Sequence, residues 1–540
     1  MPTVEHPRIR PGALEDRTYQ ADIARRAIRD NTLVVLPTGL GKTAIAIRVI
    51  AEALLERPSD SVVVLAPTRP LVVQHARSIV EFLFSPDPVV LTGAIAPGRR
   101  AELVRPPQVI VATPQVVAND LLKGGFPLDR VSLVVFDEAH RAVGDYAYVA
   151  IGRTFQDRAT RILAMTASPG ARIERVREVA ANLGIRRIEH RSASDPDVLP
   201  YTHSIQVEPV KVPLPVEVHR LGVLLRTAVA RRLEELRRLG VAPPGEISRR
   251  ELLAIGQNLD RQIAAARHRG EAAPGAVWAA RTAQAIAMKG NHAVELAETQ
   301  GIEGLRQYLA RQAEGDGARR SPAVRGFLGD PDVATVLREL DRVTLEHPKI
   351  ARAVAIVSDE MARNPEARVI LFTQYRQTAE KLVHEIELRG DPRLRAVRFV
   401  GQSSRGADGG MSQKEQVEIL DRFRRGEVNC LVATSVAEEG LDIPSTDLVV
   451  LYEPVPDEIR TIQRRGRTGR ARTGRALVLI AEGTRDEGMY RAALAKERRM
   501  QEMLERVERE RGGGAPAETV APRSRASVQT VLSEFPDAPP

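Results

Sequence analysis

Short, almost unbroken apolar runs govern what this chain can fold into. Residues 31–36 read Asn-Thr-Leu-Val-Val-Leu and stop at Pro37; residues 61–66 read Ser-Val-Val-Val-Leu-Ala and stop at Pro67. Similar runs lie at 109–112, 131–136 and 162–166, with helix-like stretches such as 43–56 and 70–84 between them. A strand apolar on both faces leaves no side for water. It belongs in a parallel sheet covered by helices above and below. This pattern makes residues 1–205 one α/β lobe. It returns at 368–372, 396–400, 429–433, 447–451 and 476–480, which predicts a second α/β lobe over 346–510.

Between the lobes the periodicity changes. Residues 216–239 and 248–268 space apolar side chains three and four apart with Arg and Glu between, and 276–299, 301–313 and 331–345 continue in this style. An all-helical insert is therefore expected over 206–345. A loop is expected around Gly315, Gly317 and Arg319-Arg320-Ser321-Pro322. Residues 511–540, rich in Gly, Pro, Ser and Arg, are expected to be disordered. Several domains suit the 540 residues, since single cores rarely grow past roughly 250–300.

The net charge of +9 favours a polyanionic partner, because Lys and Arg displace counterions from phosphates; an indifferent basic surface accounts for the charge equally well. One cysteine, Cys430, excludes an intramolecular disulfide and a cysteine metal cluster. Its apolar surroundings suggest an inert core thiol. No run approaches the roughly 20 apolar residues of a membrane span, and the N-terminus lacks a signal-peptide core. A cytoplasmic protein with no membrane partner is expected.

Chemistry concentrates at three places. Pro37-Thr38-Gly39-Leu40-Gly41-Lys42-Thr43 joins an apolar strand to a helix through a glycine turn, the arrangement whose backbone N–H groups cradle phosphates. Lys42 would neutralise the β/γ oxygens of ATP, and Thr43 would hold Mg²⁺. The general pattern begins with Gly where this chain has Leu36. Asp137-Glu138-Ala139-His140 follows the run 131–136 and so sits at a strand's carboxyl end, beside such a loop. Asp137 would bind Mg²⁺ through water, and Glu138 would orient and deprotonate the attacking water. In the second lobe, Gln463-Arg464-Arg465-Gly466-Arg467-Thr468-Gly469-Arg470 spaces arginines with glycines. Arg467 and Arg470 would reach the γ-phosphate across a cleft. Alone, such a run is more often a solvated basic loop.

In order and spacing these residues resemble the superfamily 2 helicases over about 500 residues, which implies two RecA-like lobes driven by ATP. On that resemblance Tyr19-Gln20 looks like an adenine-reading motif. Thr68 and Arg69 of Ala66-Pro67-Thr68-Arg69, Thr92-Gly93 and Thr113 of Ala112-Thr113-Pro114 look like strand contacts. Thr166-Ala167-Ser168 resembles the motif linking hydrolysis to movement. Thr373, Thr434, Gly440 and Asp442 fall in motifs resembling the second lobe's strand and nucleotide contacts. Sequence-independent movement should read backbone rather than bases, which suits Thr and N–H groups.

A narrower resemblance rests on His292-Ala-Val-Glu-Leu-Ala-Glu-Thr-Gln-Gly301, Gly410-Met-Ser-Gln-Lys-Glu-Gln416 and Glu453-Pro-Val-Pro-Asp-Glu-Ile-Arg460. These are similar to the archaeal Hef and Fanconi anaemia M family. The resemblance implies a thumb-like insert and work on forked or branched DNA. Hef's nuclease motif Glu-Arg-Lys does not occur, so any cleavage is expected from a separate nuclease. Gln529, Leu532 and Phe535 resemble a sliding-clamp-binding peptide whose last aromatic is replaced by Pro536. Two rival readings are an RNA-acting relative and a non-hydrolysing scaffold.

Overall fold

The computed structural model describes residues 2–512 except 106, 127, 157, 171, 193–194, 202–204, 246, 315–320, 344–345, 402–409, 435–445 and 456–473. All ten apolar runs form strands, and three more strands join them. The first lobe holds β1 (Thr32–Val35), β2 (Ser61–Leu65), β3 (Val89–Leu91), β4 (Val109–Ala112), β5 (Val131–Phe136), β6 (Arg161–Thr166) and β7 (Arg187–His190). They form one parallel sheet in the order β3-β4-β2-β5-β6-β1-β7.

Alternate residues of each central strand enter separate cores. Val34, Val62, Val64, Leu133, Val135, Leu163 and Met165 pack on one face. Leu33, Val35, Val63, Leu65, Val134, Phe136, Ile162 and Ala164 pack on the other. Each such side chain contributes about 1.5–3 kcal/mol on burial, which is why these strands tolerate no polar alternation.

The second lobe holds β8 (Ile205–Val212), β9 (Val369–Phe372), β10 (Ala396–Phe399), β11 (Cys430–Ala433), β12 (Leu448–Leu451) and β13 (Gly474–Ala481). Their order is β10-β11-β9-β12-β13-β8, again parallel throughout. The chain enters this lobe earlier than its apolar runs indicate. Residues 205–212, expected at the junction of first lobe and insert, form the edge strand beside β13. Their sequence Ile-Gln-Val-Glu-Pro-Val-Lys-Val alternates at period two, and Pro209 costs no ladder bond on an edge whose N–H faces outward.

The insert is helical from Val216 to Leu340. Its helices are Val216–Arg238, Arg249–His268, Gly275–Glu295, Ile302–Ala313, Pro322–Leu328 and Pro331–Leu340. The helix at 322 was not expected: Ser321 caps it by accepting from Val324 N, and Pro322 opens it as a first-turn proline. Two apolar clusters fill the insert. One, containing Leu225, Leu305 and Phe327, lies toward the second lobe and includes Tyr375 at its border. The other, containing Leu236, Leu252 and Leu259, lies further out. A final helix, Arg485–Gly512, leaves β13 and lays Met500 and Met503 on the first lobe's core.

Cys430 is buried, as expected, and burial pushes its thiol up to about 12. Among the described residues no helix is long and apolar enough to cross a membrane.

Candidate nucleotide and nucleic-acid site

The loop after β1 is a glycine-built turn held from beneath. Gly39 and Gly41 have φ of +87° and +78°, and Gly41 serves as the N-cap of the helix Lys42–Glu56. A side-chain carbon on Gly41 would overlap the Gln20 amide. Gln20 Nε2 donates to Leu40 O at 3.2 Å, and the Tyr19 hydroxyl donates to the same oxygen at 2.7 Å. Tyr19 is fully buried and Gln20 nearly so. Both support the loop through its backbone, and Tyr19 presents no open face to a base. Lys42 Nζ donates to Leu36 O at 3.1 Å, which folds the ammonium back over the strand end.

Two strands away, Asp137 and Glu138 follow β5. Asp137 N donates to Leu65 O at 2.9 Å, so the acidic turn is pinned to the end of β2. Asp137 is buried, and His75 Nε2 donates to its Oδ2 at 2.8 Å. Burial opposes the charged form, but the His75 hydrogen bond and charge, and then the charge of Lys42, hold this carboxyl below the usual carboxylate range. Glu138 sits at φ 49°, ψ 48°, and among the described residues it alone of the non-glycines has positive φ. Such backbone costs on the order of 1–3 kcal/mol and persists where surroundings enforce it. Its Oε2 is buried without a hydrogen-bond partner among the described residues, with His140 Nδ1 3.3 Å away. His140 Nδ1 also lies 3.1 Å from Thr166 Oγ1, which accepts from Ser168 N at 3.1 Å.

These residues fit a metal–nucleotide. A turn of backbone N–H groups and a lysine after β1 stand across β6 from a carboxylate kept ionised and a buried carboxylate oxygen without a hydrogen-bond partner among the described residues, at the strand ends where parallel sheets bind ligands.

The residues expected to touch a strand are less uniform. Thr68 caps the helix Arg69–Phe82, accepting from Leu71 N at 3.5 Å, and Arg69 is exposed. A side-chain carbon on Gly93 would lie 3.5 Å from Arg69 Nη2, so the turn holding Thr92 meets the Arg69 side chain. Thr113, Thr373 and Thr434 are buried, and their N–H groups donate to Leu91 O, Ala433 O and Phe399 O. The Thr373 hydroxyl donates to Glu453 Oε2 at 3.3 Å. These three therefore fix the turns that follow the strands through their backbone N–H groups, and the Thr373 hydroxyl turns to Glu453. Gly440, Asp442, Arg467, Arg470, Gln529, Leu532 and Phe535 lie outside the described residues.

Two residues were missed by sequence reasoning. His75 shares the buried stripe of Val72, Ala76 and Ile79 on one helix, and a histidine in such a stripe was the available signal. Met500 receives the Ser168 hydroxyl at 2.9 Å from 332 residues away, and nothing local marks it.

Comparison with known proteins matches three family models: "DEAD/DEAH box helicase" over residues 17–176, "Helicase conserved C-terminal domain" over 350–472, and a helical-bundle model over 217–347 whose description provisionally names an ATP-dependent RNA helicase. A Methanocaldococcus jannaschii protein, named provisionally as an ATP-dependent RNA helicase, is 40% identical across 93% of this chain and 62% of its own length. The Fanconi anemia group M protein homolog of Mus musculus is 35% identical over 88% of this chain and 25% of its own. The ATP-dependent DNA helicase mph1 of Aspergillus niger is 34% identical over 90% and 45%. The chain thus spans less than two thirds of each of these relatives. The crystal structure of the Pyrococcus furiosus Hef helicase domain superposes with a TM-score of 0.65 at 42% identity, covering 88% of this chain and 98% of that one. With two RecA-like lobes, a helical bundle between them and this match, the chain belongs to the superfamily 2 helicases of the Hef and Fanconi anaemia M type.

Proposed function

We propose that this chain is an ATP-dependent DNA helicase or translocase that acts on forked or branched DNA. The observation that carries the enzymatic part is the placement near the Gly41–Lys42 turn of Asp137, held below the usual carboxylate range by His75 and Lys42, and of the buried Glu138 Oε2, which has no hydrogen-bond partner among the described residues. MgATP, when bound, supplies the phosphoanhydride whose hydrolysis drives the cycle. Lys42 and the loop N–H groups would bind its phosphates, and Thr43 and Asp137 would hold the metal. Glu138 Oε2 accepts the proton of the attacking water, and His140 stands between Glu138 and Thr166 to hold that carboxylate in place. Arg467 and Arg470, outside the described residues, would act on the γ-phosphate from the second lobe. Gly440 and Asp442 are assigned there with them.

For the nucleic-acid track, Arg69 and the backbone around Thr68 and Gly93 are the exposed groups available for phosphate contact. Branched DNA is favoured by the similarity to a DNA helicase and to Fanconi anaemia M proteins. A second reading, an RNA duplex, is favoured by the name of the Methanocaldococcus relative. Phosphate release by the full chain at matched salt separates them. Forked DNA should stimulate turnover well above double-stranded RNA; equal or greater stimulation by RNA rejects the DNA reading. No phosphate release with any nucleic acid leaves the non-hydrolysing scaffold. The 529–535 peptide is proposed as a clamp ligand. Phe535→Ala should abolish clamp pull-down, and failure of the intact protein to bind clamp ends that idea.

A further inference from the structure

An irregular turn forms part of the contact between the insert and the second lobe, beside bonds such as Gln377 Nε2 to Gln307 Oε1 at 2.9 Å. The helix Gly275–Glu295 runs on into a π-helical segment, Leu296–Gln300, closed by Gly301 N donating to Leu296 O at 2.9 Å, five residues back. Gly301 leaves the turn at φ +96°, and a side-chain carbon there would lie 2.9 Å from His347 Cβ. Residues five apart on an α-helix diverge by about 140°, whereas in a turn closed by i→i+5 bonds they nearly share a face. Glu295 and Gln300 are such a pair, and both reach the same element of the second lobe. The Tyr375 hydroxyl donates to Glu295 Oε1 at 2.8 Å, and the Thr378 hydroxyl donates to the Gln300 side-chain carbonyl.

Glu298, between them, points into the protein. It is buried, pairs with Arg226 of the insert and accepts from Arg485 N at 3.2 Å, while its carbonyl accepts from His347 Nε2 at 2.8 Å. Burial disfavours the charge of Glu295, but His292, whose Nδ1 lies 3.8 Å away, and the Tyr375 hydrogen bond, then Arg485 and Arg249, hold it below the usual carboxylate range. The Tyr375 bond is therefore charge-assisted, and about twice as strong as a neutral one.

Tyr375 is also bonded toward the strand-contact motif. Its N–H donates to Thr373 Oγ1 at 3.4 Å, and Gln374 N donates to Glu453 at the end of β12. The loop after β9 is thus held by the second sheet on one side and by the insert on the other. A π-turn has poorer hydrogen-bond geometry than the helix it interrupts, and such turns recur at functional positions. Here it aims two side chains, five residues apart, at the end of the loop after β9 and the first turn of the helix Arg376–Leu388 that follows it.

We propose that Glu295, Gln300, Tyr375 and Thr378 are positioning residues that register the insert against the strand-contact loop of the second lobe, so that insert and lobe advance together in each ATP cycle. This rests on the helicase reading above.

The test uses Tyr375→Phe, Glu295→Gln and the double variant in the full chain. Labels on cysteines introduced at exposed Arg261 and Leu388 report the distance from insert to second lobe, since buried Cys430 will not react. In the unaltered chain this distance should stay narrow and fixed when a non-hydrolysable ATP analogue and forked DNA are added, and Tyr375→Phe should broaden it. Base pairs opened per ATP should fall at least threefold in either single variant and no further in the double. ATP turnover without DNA should stay within twofold. A distance that shifts with nucleotide in the unaltered chain, or one that Tyr375→Phe leaves unchanged, overturns the proposal. Unchanged pairs opened per ATP also overturns it. If the unaltered chain hydrolyses ATP but opens no fork, the helicase reading fails, and the distance measurement alone decides the proposal.

Discussion

The nucleotide half-site of the first lobe and the junction of insert and second lobe are built on opposite plans. The first gathers its groups at the ends of β1, β6 and β5, each delivered by a motif a few residues long. The second takes one side from the segment His292–Gly301 and the other from distant parts of the chain. Its bonds join residues such as Glu295 and Tyr375, 80 apart in sequence, and Arg485 and Glu298, 187 apart. A catalytic cradle can be specified locally because a parallel sheet brings strand ends together without further instruction. A mechanical junction depends on where whole elements come to rest.

The largest expected effect strikes the first plan alone. Lys42→Ala or Glu138→Gln should lower ATP turnover by about 10³-fold while nucleic-acid binding persists, as read by phosphate release and gel shift. Normal hydrolysis by either variant removes the site assignment. Next is a change confined to the second lobe. Lys349 and Asp486 form an ion pair with no solvent exposure, and Asp486 Oδ2 also accepts from Ala481 N at 3.0 Å. Lys349→Met would strand a buried carboxylate and should destabilise that lobe by about 3–5 kcal/mol in denaturant unfolding. A loss below 1 kcal/mol would show that the pair is not buried in solution.

A pH series probes the junction. His347 donates through Nε2 to Glu298 O and accepts through Nδ1 from Lys349 N, so both ring nitrogens are satisfied only in the neutral form. Burial, then the Lys349 charge, lower its pKa to about 3 against the Glu298 bond that raises it. Because the folded value lies below the unfolded one, its stabilising contribution is complete above about pH 6.5. It is lost as pH falls toward 3, at about 1.4 kcal/mol per unit, or about 2 kcal/mol by pH 5. His347→Gln should flatten that part of the profile in melts followed between pH 7 and 5. The smallest effect belongs to Gly41→Ala, where the left-handed backbone costs about 1–2 kcal/mol before the overlap with Gln20. ATP affinity should weaken roughly tenfold, and an unchanged affinity would mean that the turn relaxes freely.

What the sequence disclosed follows the same division. The ten apolar runs, the glycine turn and the acid pair were readable because each is a local pattern with one physical solution. β3 and β7 were not, since short edge strands bury too little to need an apolar run. β8 carried a readable alternation but sat next to helical sequence, and its pairing with β13 spans more than 260 residues. Tyr19 was assigned to an adenine-reading motif, and its place beneath Leu40 could only be seen once the loop was folded over it. The π-turn was read as more helix, because Leu296-Ala297-Glu298-Thr299-Gln300 has good helical composition and the widening serves distant partners.

The helix Arg485–Gly512 gives the molecule a protractor. It is clamped at Asp486 in the second lobe and rests Met500 on Ser168 of the first. Fourteen residues separate these points, about 21 Å of helix. A tilt of about 10° at the clamped end would sweep Met500 through about 4 Å, farther than a van der Waals contact tolerates. Whether Ser168 is covered or bare therefore reports the angle between the lobes to within a few degrees, at the strand end that carries Thr166.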